Sequence, residues 1–120
     1  MLVKLLKSKL HWARVTKTEL NYPGSIAIDP ELMDAVGLLP YESVLIADIN
    51  NGNRLETYVI PAEKRGGGDI VVLGAAAKLV ATNDIIIIFG FGFFTPKEAK
   101  GFKPKIVSLD KNNRIIERVS

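Results

Sequence analysis

Apolar residues along this chain come in short runs broken by turn formers, and most runs alternate or are rich in β-branched residues rather than repeating at helical spacing. Leu2 to Leu10, aliphatic with interspersed lysines, predicts a strand, and the looser alternation of Trp12 to Thr16 predicts another. Asn21-Tyr22-Pro23-Gly24-Ser25 is a turn by composition, and Ser25 to Ile28 a short strand after it. Asp29 followed by Pro30 predicts an N-cap and first helical residue, with a helix running to Val36 and stopped by Gly37. Ser43–Asn50 and Arg54–Ile60 predict a hairpin around Asn51-Gly52, whose residues tolerate positive φ. In the second strand Arg54, Glu56 and Tyr58 share one face and Leu55, Thr57 and Val59 the other.

Beyond a glycine-rich surface loop at Lys64 to Asp69, Ile70 to Leu73 predicts a strand and the alanine-rich Gly74 to Val80 a short helix. Asp84 to Phe89, with four consecutive isoleucines, is expected to be the most buried strand. Thr95 to Gly101 predicts a turn or short helix, and Lys105–Leu109 with Arg114–Val119 a last hairpin. Many short strands, two short helices and no repeat predict a mainly β chain of small-barrel type.

A length of 120 residues fits one domain (1–120), small enough that oligomerisation would add useful burial. The hydrophobic fraction of 48% and charged fraction of 24% are those of a globular protein. The net charge of +3 is carried by scattered residues rather than a basic stripe, which argues against a nucleic-acid partner. With no cysteine and only His11 as histidine, thiolate and multi-histidine metal sites are excluded, and Asp48, Asp69, Asp84 and Asp110 show no metal-ligand spacing. Lysines interrupt the N-terminal apolar run, against a signal peptide, and Ile85 to Phe94 is too short for a membrane helix. The expectation is a cytoplasmic protein without a membrane partner. Gly66-Gly67-Gly68 lacks the ending of a phosphate loop, and Gly90-Phe91-Gly92 reads as a strand bend.

Lys9-Leu10-His11, Val15-Thr16 and the run Leu20 to Asp29 are followed by Asn51-Gly52-Asn53-Arg54, Thr57-Tyr58, Ala62-Glu63, Gly74-Ala75-Ala76-Ala77 and Asp84-Ile85-Ile86-Ile87. In that order they resemble the aspartate 1-decarboxylase family, over roughly Lys9 to Ile88. The resemblance implies a double-psi β-barrel with short helices, a homotetramer with active sites between subunits, and decarboxylation of L-aspartate to β-alanine for pantothenate and coenzyme A synthesis. It further implies a pyruvoyl cofactor made by autocatalytic cleavage between Gly24 and Ser25, leaving a β chain 1–24 and an α chain 25–120. Ser25 would become the pyruvoyl group that forms a Schiff base with substrate, Thr57 would assist cleavage, and Tyr58 would donate the proton. Lys9, Arg54, Thr57 and the Gly74-Ala75-Ala76 segment would bind substrate.

The chemistry fits those residue types. A hydroxyl needs activation and nearby donors before it attacks a carbonyl. Gly24 lacks a Cβ, leaving its carbonyl approachable and its backbone free to strain. Arg54 can grip a carboxylate with two parallel bonds, and small residues at a helix start leave N–H groups open to an anion. One departure is Leu73, where the family pattern often carries asparagine; that polar contact is lost, and no role passes to Leu73. The sequence leaves open an accessory maturation factor. Two competing readings are a pyruvoyl decarboxylase for another acidic amino acid and a non-enzymatic double-psi barrel acting as a binding module. Read singly, Arg54 is a solvated strand charge, Tyr58 half-buried packing, and Lys9 an edge charge.

Overall fold

A computed structural model describes residues 1–119. Nine strands follow in chain order as β1 (Val3–Arg14), β2 (Lys17–Glu19), β3 (Ser25–Ile28), β4 (Ser43–Asp48), β5 (Arg54–Pro61), β6 (Ile70–Leu73), β7 (Ile85–Phe94), β8 (Lys105–Leu109) and β9 (Ile115–Val119). Two helices, α1 (Pro30–Val36) and α2 (Pro96–Ala99), and a 3-10 helix at Gly74–Lys78 complete the fold. The strands lie in the order β2-β6-β3-β5-β4-β7-β1-β8-β9. β1 and β2 adjoin in the chain yet flank opposite sides of the β6-to-β7 run, so the sheet curls until they meet. Thr16, between them, donates its N–H to Ile70 O at 2.8 Å and so joins the two flanks. The mainly β, barrel-like architecture expected from the short alternating runs is therefore present.

Four elements differ from the sequence reading, the simplest being β2 (Lys17–Glu19), which was not expected. The first two expected strands are one, because the break at His11 is a bulge: the β1–β7 register shifts between Leu10 and Ala13. Trp12 there has a φ of 66°, rare for a bulky side chain. The extra residue reverses the alternation, which is why the pattern looked like an ending. β7 runs on to Phe94 and contains Gly90 and Gly92. Its isoleucines alternate, with Ile86 and Ile88 buried and Ile85 and Ile87 half-buried, whereas all four residues of β3 are buried. The alanine-rich segment is 3-10 and stops at Lys78.

α1 forms as its sequence dictates. The Asp29 carboxylate accepts from Glu31 N, Pro30 opens the helix, and Gly37 closes it in the left-handed region at φ 74°. Asp29 also accepts from the N–H groups of Gly66 and Gly68 at 2.8 and 2.9 Å, which pins the glycine-rich loop. Burial alone would raise its pKa, but those donors, with Glu31 N and Arg65 nearby, hold it below the ordinary value. The core is filled by Leu10, Ile26, Ile28, Ile46, Val59, Ile70, Val72, Ile86 and Ile88, each fully buried aliphatic side chain stabilising by roughly 1.5–3 kcal/mol. No helix is long and apolar enough to cross a membrane among the described residues.

Candidate active site

β3 lies between two neighbours of opposite direction. It runs parallel to β5 with Ile26 opposite Val59, and antiparallel to β6 with Ser25 opposite Leu73. One step back along the parallel pair sets Ser25 alongside Tyr58, and Gly24 lies in the turn that leads into the strand. Ser25 is only 3% exposed, while Gly24 and the preceding turn are open to solvent. The Gly24–Ser25 bond thus joins an exposed turn to a buried strand.

Directly after Leu73 the backbone turns at Gly74, φ 77°, into the 3-10 helix. A Cβ at this position would lie 2.6 Å from Gly24 Cα, 2.8 Å from Gly24 N and 2.9 Å from Tyr22 O. Only glycine fits both the angle and the space. Gly24 itself is different: a Cβ there would meet nothing within 4 Å, and its φ lies outside the left-handed region. The close approach expected from the missing Gly24 side chain is imposed by Gly74. No side chain caps the 3-10 helix, so the leading N–H groups around Gly74, Ala75 and Ala76 lack an intrahelical acceptor.

β5 presents its residues as the alternation predicts. Thr57 faces inward, paired with Val44, and Tyr58 faces outward at 38% exposure, its ring 6.2 Å from that of Tyr41. Arg54 opens the strand just after the hairpin turn and shares Tyr58's outward face, roughly 13 Å further along at about 3.3 Å per residue. Lys9 lies on β1. β5, β4 and β7 separate its strand from β3, at about 4.8 Å per strand. Its ammonium lies over the Phe89 ring, 5.6 Å from the centroid. Beside it, burial and then the Lys9 charge lower the His11 pKa, and His11 Nδ1 is buried without a partner. The fold therefore sets Gly24 and Ser25 against Gly74 and Leu73, next to the strand that carries Thr57, Tyr58 and, further along, Arg54, while Lys9 lies on a strand three places beyond that one in the sheet order.

Two features escaped the sequence reading. Leu73 stands directly opposite Ser25, a register that local pattern does not reveal. Asp48 and Asp84 face one another beneath the Arg54 turn; the signal was a carboxylate at the third inward position of Val44-Ile46-Asp48. Burial, with hydrogen bonding and repulsion from Asp84, pushes the Asp48 pKa up to about 6, and the same hydrogen bond lowers that of Asp84.

The family model described as Aspartate decarboxylase matches residues 1–116. The chain belongs to the aspartate decarboxylase family. Curated relatives agree. An aspartate 1-decarboxylase of Acetivibrio thermocellus is 52% identical over 97% of this chain and 91% of its own length. One from Thermosipho africanus is 50% identical over 94% and 92%, and one from Lactiplantibacillus plantarum 50% over 99% and 91%. Membership spans both the Gly24–Ser25 turn and the Arg54–Tyr58 strand, so the candidate site lies wholly within the matched region.

Proposed function

We propose that this chain is a cytoplasmic, pyruvoyl-dependent decarboxylase that converts L-aspartate to β-alanine and carbon dioxide, with a cofactor made from its own Ser25. The observation that carries the reading is the close approach of Gly74 to Gly24 at the start of Ser25's strand, beside the strand of Thr57 and Tyr58, in a chain of this family. The residues suit a group built in place. Ser25 sits on a buried strand paired on both sides, next to the bond it must break, while the side on which Gly24 would carry a Cβ is open.

In maturation, Ser25 Oγ attacks the Gly24 carbonyl and the peptide link becomes an ester, its nitrogen left as an amine. Thr57, on the neighbouring strand, is suited to donate to the carbonyl oxygen as negative charge develops. Loss of the Ser25 Cα proton expels the Gly24 carboxylate. Water then replaces the nitrogen, ammonia leaves, and residue 25 carries a ketone at the new terminus of chain 25–120. Chain 1–24 remains as the second piece of the one-domain protein.

The ketone supplies an electron sink for loss of the substrate α-carboxylate. The residues of the chain do the rest. Arg54 grips a substrate carboxylate, Lys9 supplies a second cation, and the open N–H groups of Gly74, Ala75 and Ala76 receive the anion. Tyr58 holds the proton delivered to the carbon that loses carbon dioxide. Lys9 and Arg54 lie away from Ser25 along the sheet, and a site shared between copies would bring side chains from a second chain to it. A homotetramer of double-psi barrels with active sites between subunits provides such a site. The outward face of β7 carries Phe93, 66% exposed, and borders a recess of about 270 Å³ lined by Lys4, Leu45, Glu56 and Phe91 among others, a surface suited to burial between subunits. An accessory maturation factor is compatible with this scheme.

The test is a denaturing mass spectrum of the purified protein with an aspartate turnover assay. Two fragments, the larger blocked by a pyruvoyl group, are expected. Ser25→Ala leaves one intact chain without turnover, and Tyr58→Phe cleaves normally but turns over at least about 100-fold more slowly. An intact wild-type chain that decarboxylates aspartate with an unmodified Ser25 would falsify the scheme.

A further inference from the structure

Arg54 begins β5 directly after a turn whose geometry is set by one buried carboxyl. Asp48, 3% exposed, accepts from Asn50 N at 2.8 Å and Asn51 N at 3.3 Å through Oδ1. Its main chain closes the same turn, donating to Asn53 O at 2.9 Å and accepting from Gly52 N at 2.9 Å. The turn is then tied to the segment leading into β7. Asn51 Nδ2 and Asn53 Nδ2 both donate to Leu79 O at 2.9 Å, and Ile85 N donates to Asn50 Oδ1 at 2.8 Å.

The second oxygen, Asp48 Oδ2, is buried without a hydrogen-bond partner. Asp84 faces it, held in place by Ala81 N, which donates to Asp84 Oδ2 at 2.9 Å. Two facing carboxylates repel, whereas one proton between them makes a hydrogen bond and satisfies the orphaned oxygen. The groups facing the pair are the Asn50 and Asn51 amides from the turn, and the Ala81 amide and Asp84 itself from the segment before β7. From β1, Arg14 reaches Asn83 Oδ1 at 2.7 Å rather than either acid. No cation pairs with Asp48 or Asp84 among the described residues.

We propose that Asp48 is a positioning residue for Arg54: a proton shared with Asp84 locks the Asn50–Asn53 turn and so sets how firmly the guanidinium is held for the substrate carboxylate. This rests on Arg54 being the carboxylate clamp described above. The direction follows from the charges. At low pH Asp48 is neutral and donates to Asp84, and the turn is fixed. As pH rises through about 6 the proton leaves, the acids repel, and the turn loosens. Asparagine at 48 keeps the Oδ1 acceptor and places a permanent N–H toward Asp84.

Two readouts on the processed protein test this: amide hydrogen exchange at Asn50, Asn51 and Gly52, corrected for intrinsic exchange, and the pH profiles of KM and kcat for L-aspartate. Between pH 5 and 7.5 wild-type protection should fall and KM rise by about threefold or more, with kcat changing less. Asp48→Asn should flatten both profiles at the low-pH values. A KM step that persists unchanged in Asp48→Asn, or an exchange step without a KM step, overturns the proposal. Its failure differs from failure of the decarboxylase reading, in which wild type turns over no aspartate at any pH.

Discussion

Gly74→Ala strikes the closest backbone contact at the candidate site. Alanine at φ 77° adopts a left-handed conformation, at a cost of about 1–2 kcal/mol. Its Cβ would also fall 2.6 to 2.9 Å from three atoms of residues 22 and 24. All three are main-chain atoms, so relief requires the whole Tyr22–Ser25 turn to move. Overpacking of this kind costs roughly 1–3 kcal/mol, for a total of about 2–5 kcal/mol. In a chain of this size that lowers Tm by about 10 °C or more. Stability and chemistry are separated by calorimetry in a Ser25→Ala background, where every molecule is unprocessed, and by timed denaturing mass spectra of Gly74→Ala alone. Cleavage should slow at least about tenfold, since a 1 Å displacement of reacting groups has large effects on rate. Gly24→Ala is the control: its Cβ meets open space, so Tm should stay within about 2 °C. The reasoning is refuted if Gly74→Ala melts like its parent and cleaves at the parental rate.

Two other perturbations probe separate parts of the fold. Asp29→Ala strips the acceptor from three N–H groups and should cost about 3 kcal/mol or more in urea unfolding at pH 7. Because the folded-state pKa of Asp29 is depressed, its contribution is complete above the unfolded value of 3.8 and fades as pH drops through the lower folded value. Asp29→Asn should correspondingly shrink the acid-induced loss of stability, and an unchanged acid limb would count against that assignment. Phe93→Glu places a charge on the exposed outer face and should shift sedimentation toward smaller species; an unchanged assembly would show that Phe93 lies outside the subunit contact.

The parts of this fold governed by neighbouring residues were legible in the sequence. Asp29, Pro30 and Gly37 announced α1 to the residue, because capping is a local transaction between a side chain and amides two or three positions away. Asn51-Gly52 announced its hairpin, and the two faces of β5 followed from alternation. What failed depended on bulges and register. The reversal at His11–Trp12 looked like a strand end because a bulge changes parity without ending the ladder. Four isoleucines looked like burial on both faces, although β7 within one chain covers only the side of Ile86 and Ile88. The residues of the candidate site were recognisable by resemblance, but not their arrangement: that Ser25 neighbours Tyr58, that Gly74 rather than Gly24 carries the steric demand, and that Lys9 lies across three strands all follow from strand order. The Asp48–Asp84 contact was hidden for the same reason, since pairing two acids 36 positions apart is a property of the register between β4 and β7.

β1 lies inside the sheet, with β7 on one side and β8 on the other, while β2 borders β6. A cut after Gly24 would leave both on a 24-residue peptide held by no covalent tether. In the native state that peptide stays clasped, because releasing it strips hydrogen bonds from three strands at once. Once melted, however, the two pieces diffuse apart, and reassembly becomes a second-order search that dilution slows. Processing would thus convert a chain able to refold alone into one whose endurance is set by how slowly it first opens.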